Sequence, residues 1–166
     1  ILDLLHSLGH ENIVYIIQGG FYCRGIDPVT FDGYFGEPLT EAVEIMQEQI
    51  GLENLTGVVN AKIIEAILTT DAFTLIVNGS EEIRSIQKNL NKKYGEHLDK
   101  YIPTNGIYER QTNKAFIIAI QVEVGTTVDG IWGDNTMNKC PTLMVGSTNR
   151  NMIYLLQYLV FCNGYN

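Results

Sequence analysis

The groups in this chain best suited to chemistry are its carboxylates, three histidines and three cysteines, and their spacing assembles no catalytic set. Glu41, Glu44 and Glu48 recur at helical spacing and are the first candidates for a carboxylate pair. Glycoside hydrolysis needs two carboxyls facing each other across a cleft, one of them partly desolvated. Three acids along one face of a short helix read instead as a solvated stripe. His6, His10 and His97 lie far apart with no HExxH pair, and read as surface or capping residues. There is no G-x-S-x-G elbow, cysteine–histidine dyad or phosphate-cradling loop. Cys23, Cys140 and Cys162 are odd in number, widely spaced and without a CxxC pair. That pattern makes neither a disulfide framework nor a zinc site, so all three read as small packing residues. No catalytic residue, no metal and no cofactor is expected.

Binding chemistry is better represented. Polysaccharides are held by aromatic faces against sugar rings and by amides or carboxylates on hydroxyls. Three turns offer that combination: Asp32 with Tyr34 and Phe35, Asn105 with Tyr108, and Asp129 with Trp132. These seven are the candidate ligand-binding residues. The competing reading makes Phe35, Tyr108 and Trp132 plugs over their own bundles; it is preferred for Phe35, whereas Trp132 serves equally as a stacking platform. Gln18, Gln87 and Gln157 sit inside apolar helices at equivalent places and read as amides that secure a loop backbone.

These residues must be positioned by folded elements, and the composition allows it. The 166 residues are 45% hydrophobic and 18% charged, enough for one or two domains with real cores. The net charge of −8 is uneven: residues 1–75 hold eleven acids against Arg24 and Lys62, whereas 76–166 hold eight acids against nine bases. No basic stripe tracks a phosphate backbone, so nucleic acid is excluded as a partner, and the acidity disfavours anionic lipid and teichoic acid. The most apolar run, Met152 to Cys162, is about half the length a bilayer span needs, so no membrane insertion is expected. Ile1 to Leu8 is short, lacks a basic lead and has no initiator Met, so the chain reads as an excised fragment without a signal peptide.

Self-similarity organises the rest. NIVYIIQGGFYCRGI, EIRSIQKNLNKKYG and NMIYLLQYLVFCNGY each place a glutamine inside an apolar helix and a glycine at its end. The glutamines are separated by 69 and 70 residues, as are, in the opposite order, Gly25, Gly95 and Gly164. In the first copy, Gly25 stops a helix, Asp32-Gly33 makes a turn, Thr40 starts a second helix, and Asn60 caps a third after Thr56-Gly57. In the second copy, Ser80 caps a helix and Asn105-Gly106 makes the turn. Thr112 then opens a helix whose apolar centre, Phe116 to Ile120, implies burial on more than one side. Asp129-Gly130 precedes a short helix from Asn135 or Thr136, cut off by Pro141. The expected fold is all-α, built as tandem three-helix orthogonal bundles. Residues 1–8 read as the end of a preceding repeat, 9–76 as the first repeat, 77–144 as a divergent second, and 145–166 as the first helix of a third. The two terminal helices are expected to pack on neighbouring copies or to self-associate.

The run DGYFGEPLTEAVEIMQEQIGLENLTGVV, from Asp32 to Val59, resembles the peptidoglycan-binding-like repeat of bacterial cell-wall proteins, whose usual form is D-G-x-F-G-x-x-T-x-x-A-V-x-x-x-Q followed by T-G-x-V. Asp32, Gly33, Phe35, Gly36, Thr40, Val43, Gln47, Thr56, Gly57 and Val59 match, with Thr40 one residue late. In the second copy Asn105, Tyr108 and Glu109 replace the Asp, the Phe and the second Gly, and DGIWGDNT repeats the theme from Asp129. The tandem arrangement is similar to repeats joined to glycoside-hydrolase-like barrels in secreted proteins of Gram-positive bacteria. The resemblance implies a secreted, non-catalytic module in the cell wall that anchors a linked hydrolase domain on peptidoglycan. Two other classes remain open: a cell-wall lytic enzyme fragment using the scattered carboxylates, and a structural spacer in which the charge contrast docks one copy on the next.

Overall fold

The computed structural model describes residues 11–165. Over that span the chain forms seven helices and no strand, so it is all-α as expected. They are α1 (Glu11–Cys23), α2 (Glu37–Ile50), α3 (Ala61–Leu68), α4 (Glu81–Tyr94), α5 (Arg110–Val124), α6 (Asp134–Lys139) and α7 (Arg150–Cys162). Among the described residues, no helix is long and apolar enough to cross a membrane. The readings made for Ile1 to Leu8, His6 and His10 lie outside the described residues.

Local chemistry sets most of the helix ends. Asn60 accepts the Ile63 N–H at 3.0 Å, Ser80 accepts those of Glu82 and Ile83, and Asn149 accepts that of Met152. Each thereby satisfies donors that the first turn leaves open. Three starts differ from expectation. The second helix begins at Glu37 rather than Thr40, because Pro38 supplies a helical φ in the first turn and Glu37 a favourable charge there. Helix α5 begins at Arg110, before Thr112, and α6 at Asp134, before Asn135. Thr112 and Thr136 are buried and serve a different purpose.

That purpose is a clamp built four times. The Gln18 carbonyl oxygen accepts the Gly33 N–H (3.1 Å), and its amide donates to Asp32 Oδ1 (2.9 Å) and the Tyr34 carbonyl (3.3 Å). Gln47 treats Thr56-Gly57 alike: it accepts both N–H groups and donates to Thr56 Oγ1 and the Val58 carbonyl. Gln87 accepts the Gly106 N–H and donates to Asn105 Oδ1, the Ile107 carbonyl and Thr112 Oγ1. Gln121 accepts the N–H groups of Asp129 and Gly130 and donates to Asp129 Oδ1, the Ile131 carbonyl and Thr136 Oγ1. All four glutamines are at most 3% exposed. The second residue of every turn is a glycine at positive φ, between +63° and +81°, where a side chain would be strained. The reading of Gln18 and Gln87 as loop anchors therefore holds. Gln157, in contrast, is exposed on α7.

Two apolar clusters form around these clamps. The first gathers Phe21 of α1, Val43, Met46 and Ile50 of α2, and Ile63 and Ile67 of α3. The second gathers Ile86 and Leu90 of α4, Phe116 and Ala119 of α5, and Met152 and Leu155 of α7. Helix α5 packs against α4, α6 and α7, which explains its continuous apolar centre. The clusters are joined where α4 crosses α2. Gly51 sits so close there that a β-carbon would lie 2.6 Å from Lys88 Cβ. Asn91 donates to the Ile50 and Ile102 carbonyls and accepts the Ile102 N–H, while Thr104 bonds Gln49 and Ala72. The long loop after α4 is thus stitched back onto the first cluster, against which Tyr101 also packs.

Glu123 of α5 makes a second junction. It accepts hydrogen bonds from Tyr94 of α4 (2.8 Å) and Asn151 of α7 (2.9 Å) and pairs with Lys93 at 3.4 Å. Burial works to raise its pKa, but the two hydrogen bonds and the Lys93 charge outweigh it and hold the carboxyl below the ordinary glutamate value. Burial and the same contact push the Tyr94 phenol upward. The cysteines depart from the packing expectation at one position: Cys140 and Cys162 are half-buried on the second cluster, but Cys23 is exposed. Burial pushes the Cys162 thiol up to about 11.

Gln87→Ala or Gln121→Ala leaves buried turn donors and acceptors unpaired, and should lower unfolding free energy by roughly 2–4 kcal/mol in chemical denaturation. Gln157→Ala should change it by less than about 0.5 kcal/mol. Because the Glu123 pKa is lower folded than unfolded, its contribution is complete above the unfolded value and is lost as pH falls through the folded one. Glu123→Gln should therefore flatten the acid side of the stability–pH profile below about pH 5.

Candidate functional site

The turns held by the clamps carry all seven candidate residues. Asp32 Oδ1 accepts from Gln18 and from the Tyr34 N–H, and Oδ2 accepts from Thr30. The Gln18 amide, then the Tyr34 N–H, hold this carboxyl below the usual aspartate range. Asp129 is held low by the Ile131 N–H and then by Gln121. Asn105 Oδ1 accepts the Ile107 N–H at 3.0 Å as well as the Gln87 amide. These three side chains thus shape their turns with the oxygens that face inward.

The aromatics divide differently. Phe35 is half-buried against the first cluster. Tyr108 packs on the second, edge-on to Phe116 at 6.3 Å, and donates its hydroxyl to Asn113 at 2.9 Å. Tyr34 and Trp132 are 59% and 48% exposed. The three turns hang from three different glutamines, so the seven residues form three small groups. His97 and the Glu41–Glu44–Glu48 stripe lie on exposed or half-exposed positions, with Glu44 beside the Gly57 turn that Gln47 holds. Among the described residues, no group of three His, Cys, Asp or Glu is arranged to hold a metal.

The first turn carries more aromatic surface than the sequence reading found. Phe31 stands directly before Asp32 and packs edge-to-face on Tyr22 of α1, with centroids 5.4 Å apart. Both rings are exposed. Tyr15 of α1 lies beneath the turn, where a β-carbon on Gly33 would come within 2.6 Å of its ring. The signal was present in the string F-D-G-Y-F, but the helical contribution of Tyr22 depends on the crossing of α1 and the turn. The fourth turn, Thr56-Gly57, carries no aromatic residue, only Val58. Together the elements can present flat, amphipathic rings on a rigid backbone.

Residues 10–67 match a family model described as a peptidoglycan binding domain. Residues 76–163 match the FadG/YbfG, PGDB-like domain. FadG of Bacillus subtilis (strain 168) is 40% identical over 162 residues, covering 94% of this chain and 28% of that protein. YbfG of the same organism is 38% identical over 157 residues, covering 93% of this chain and 21% of that protein. Both relatives are described as uncharacterized, and this chain spans less than a third of either one's length. No solved structure matches. With an all-helical fold and the FadG/YbfG model matching residues 76–163, over half of its length, the chain belongs to the FadG/YbfG, PGDB-like family, and its residues 10–67 match the peptidoglycan binding domain.

Proposed function

We propose that this chain is a non-catalytic, extracellular module that binds peptidoglycan in the cell wall and holds a linked hydrolase domain on its polymer, raising the enzyme's local concentration there. The observation that carries the reading is the exposed aromatic group around the Asp32 turn. Tyr22, Phe31 and Tyr34 surround a backbone fixed by Gln18, so ring faces are displayed with little conformational entropy to lose on binding. Trp132 offers a second platform on the Asp129 turn. In this reading Asp32, Asn105, Asp129, Phe35 and Tyr108 act mainly by holding the turns in shape.

The proposed organisation is an array: a repeat over 9–76, a divergent one over 77–144, and the first helix of a further one over 145–166, with 1–8 ending a preceding copy. Leu156, Gln157 and Val160 support this. They stand 70 residues after Ile86, Gln87 and Leu90, which face the second cluster, yet they are exposed. In this reading, that exposed face of α7 receives a turn that Gln157 clamps.

Purified peptidoglycan sacculi should co-sediment this chain, and retention no greater than that of a charge-matched protein would sink the proposal. Phe31→Ala with Tyr34→Ala should weaken retention by about tenfold. The sacculus suspension should keep its turbidity; clearing abolished by mutating a single carboxylate would show an enzyme instead.

A further inference from the structure

Between the end of α5 and α6 lies an open groove of about 490 Å³, within the ~300–1,000 Å³ range of small-ligand sites. One wall is the loop of Gly125, Thr126 and Thr127; the other is the stripe Asn135, Asn138 and Lys139 on α6. Gln121 fixes both walls. Its backbone carbonyl accepts the Thr126 N–H at 3.0 Å, and its side-chain amide donates to Thr136 Oγ1 of α6 at 3.3 Å. Lys139 donates to the Gly125 carbonyl at 2.8 Å and ties the walls together. The lining holds no carboxylate and no large apolar side chain. Asn135 and Asn138, neighbours one helical turn apart, and Thr127 have side chains that make no hydrogen bond among the described residues. Thr126 Oγ1 is buried and also lacks a partner, whereas buried hydroxyls are normally paired. Thr126 therefore loses no bond when it turns about χ1 to meet a ligand.

We infer that this groove binds an N-acetylated hexose, with its acetamido group between Asn135 and Asn138 and its hydroxyls toward Thr126, Thr127 and Lys139. Each carboxamide offers both a donor and an acceptor, as the acetamido group requires, and hydroxyls suit the edges of a sugar ring. The Lys139 ammonium keeps two donors beyond the one given to Gly125. A bound peptide would need pockets for its side chains, and the groove's glycine, threonine, asparagine and lysine residues make none. In sequence the groove follows directly on the Asp129 turn, whose exposed Trp132 precedes Asn135 by three residues. The inference rests on the peptidoglycan-binding reading for the source of such a sugar, and it assigns ligand contacts to residues outside the turns.

The test is an NMR titration of the ¹⁵N-labelled chain with three probes: the dimer of N-acetylglucosamine, cellobiose, which lacks the acetamido groups, and an uncharged, blocked alanine dipeptide. The N-acetylglucosamine dimer should shift the backbone amides of Thr126 and Thr127 and the side-chain NH₂ groups of Asn135 and Asn138 saturably. Cellobiose should bind several-fold more weakly, and the dipeptide should leave these signals unmoved. Asn138→Ala should weaken binding of the dimer about fivefold, as should Asn138→Asp, which keeps the shape and loses the donors. Asn138 is exposed and makes no hydrogen bond among the described residues, so both variants keep the fold. Absence of saturable shifts at these residues overturns the inference. Cellobiose binding as tightly as the dimer overturns the role given to Asn135 and Asn138, and tighter binding of the dipeptide overturns the assignment to a sugar. Sacculus retention without groove shifts removes only this site. Groove shifts without retention sink the module's proposed function and leave the sugar site standing.

Discussion

One side chain organises the molecule: a glutamine buried in a helix that holds the turn leading to the next. A tight turn near the core exposes N–H and C=O groups that water cannot reach, and each would be costly if left unpaired. Glutamine answers both needs at once, because its amide oxygen accepts the turn's N–H groups while its NH₂ donates to a side-chain oxygen and a carbonyl. Asparagine is one carbon shorter, and glutamate has no donor at neutral pH. The same arrangement recurs at Gln18, Gln47, Gln87 and Gln121, and in each case a new helix starts soon after the clamped turn.

The clamp also explains what varies. From Gln18 to Asp32 the chain runs a longer course than from Gln121 to Asp129, and the Gln87 loop is longer still. Surface loops tolerate such length changes at small entropic cost when their ends are fixed. The extra length in the second copy is used: Ile102 and Thr104 bond back to α4 and α2 and seal the crossing at Gly51. The α5 core helix and the Glu123 contacts then bring α7 onto the second cluster.

The helices, the caps at Asn60 and Ser80 and the multi-sided burial of α5 were legible in the sequence, because apolar spacing and capping chemistry are local. Gln18 and Gln87 were legible as anchors because a 69-residue offset aligned them. Gln47 and Gln121 were not grouped with them, since unequal loop lengths hide the half-unit repeat; each is nonetheless followed by Thr-Gly or Asp-Gly, the signal that could have revealed it. The start of α2 was missed because Pro38 competed with Thr40 as punctuation. Among site residues, Tyr34 and Trp132 emerge exposed, whereas the partnership of Tyr22 with Phe31 depends on a chain crossing that periodicity does not encode.

The central claim, that buried glutamines fix the turns, is tested most directly by hydrogen exchange of the glutamine side-chain NH₂ groups in the folded chain. The account predicts slow exchange at Gln18, Gln47, Gln87 and Gln121, with opening close to that of the core amides, and fast exchange at Gln157. Five glutamines exchanging at one solvent-limited rate would contradict it.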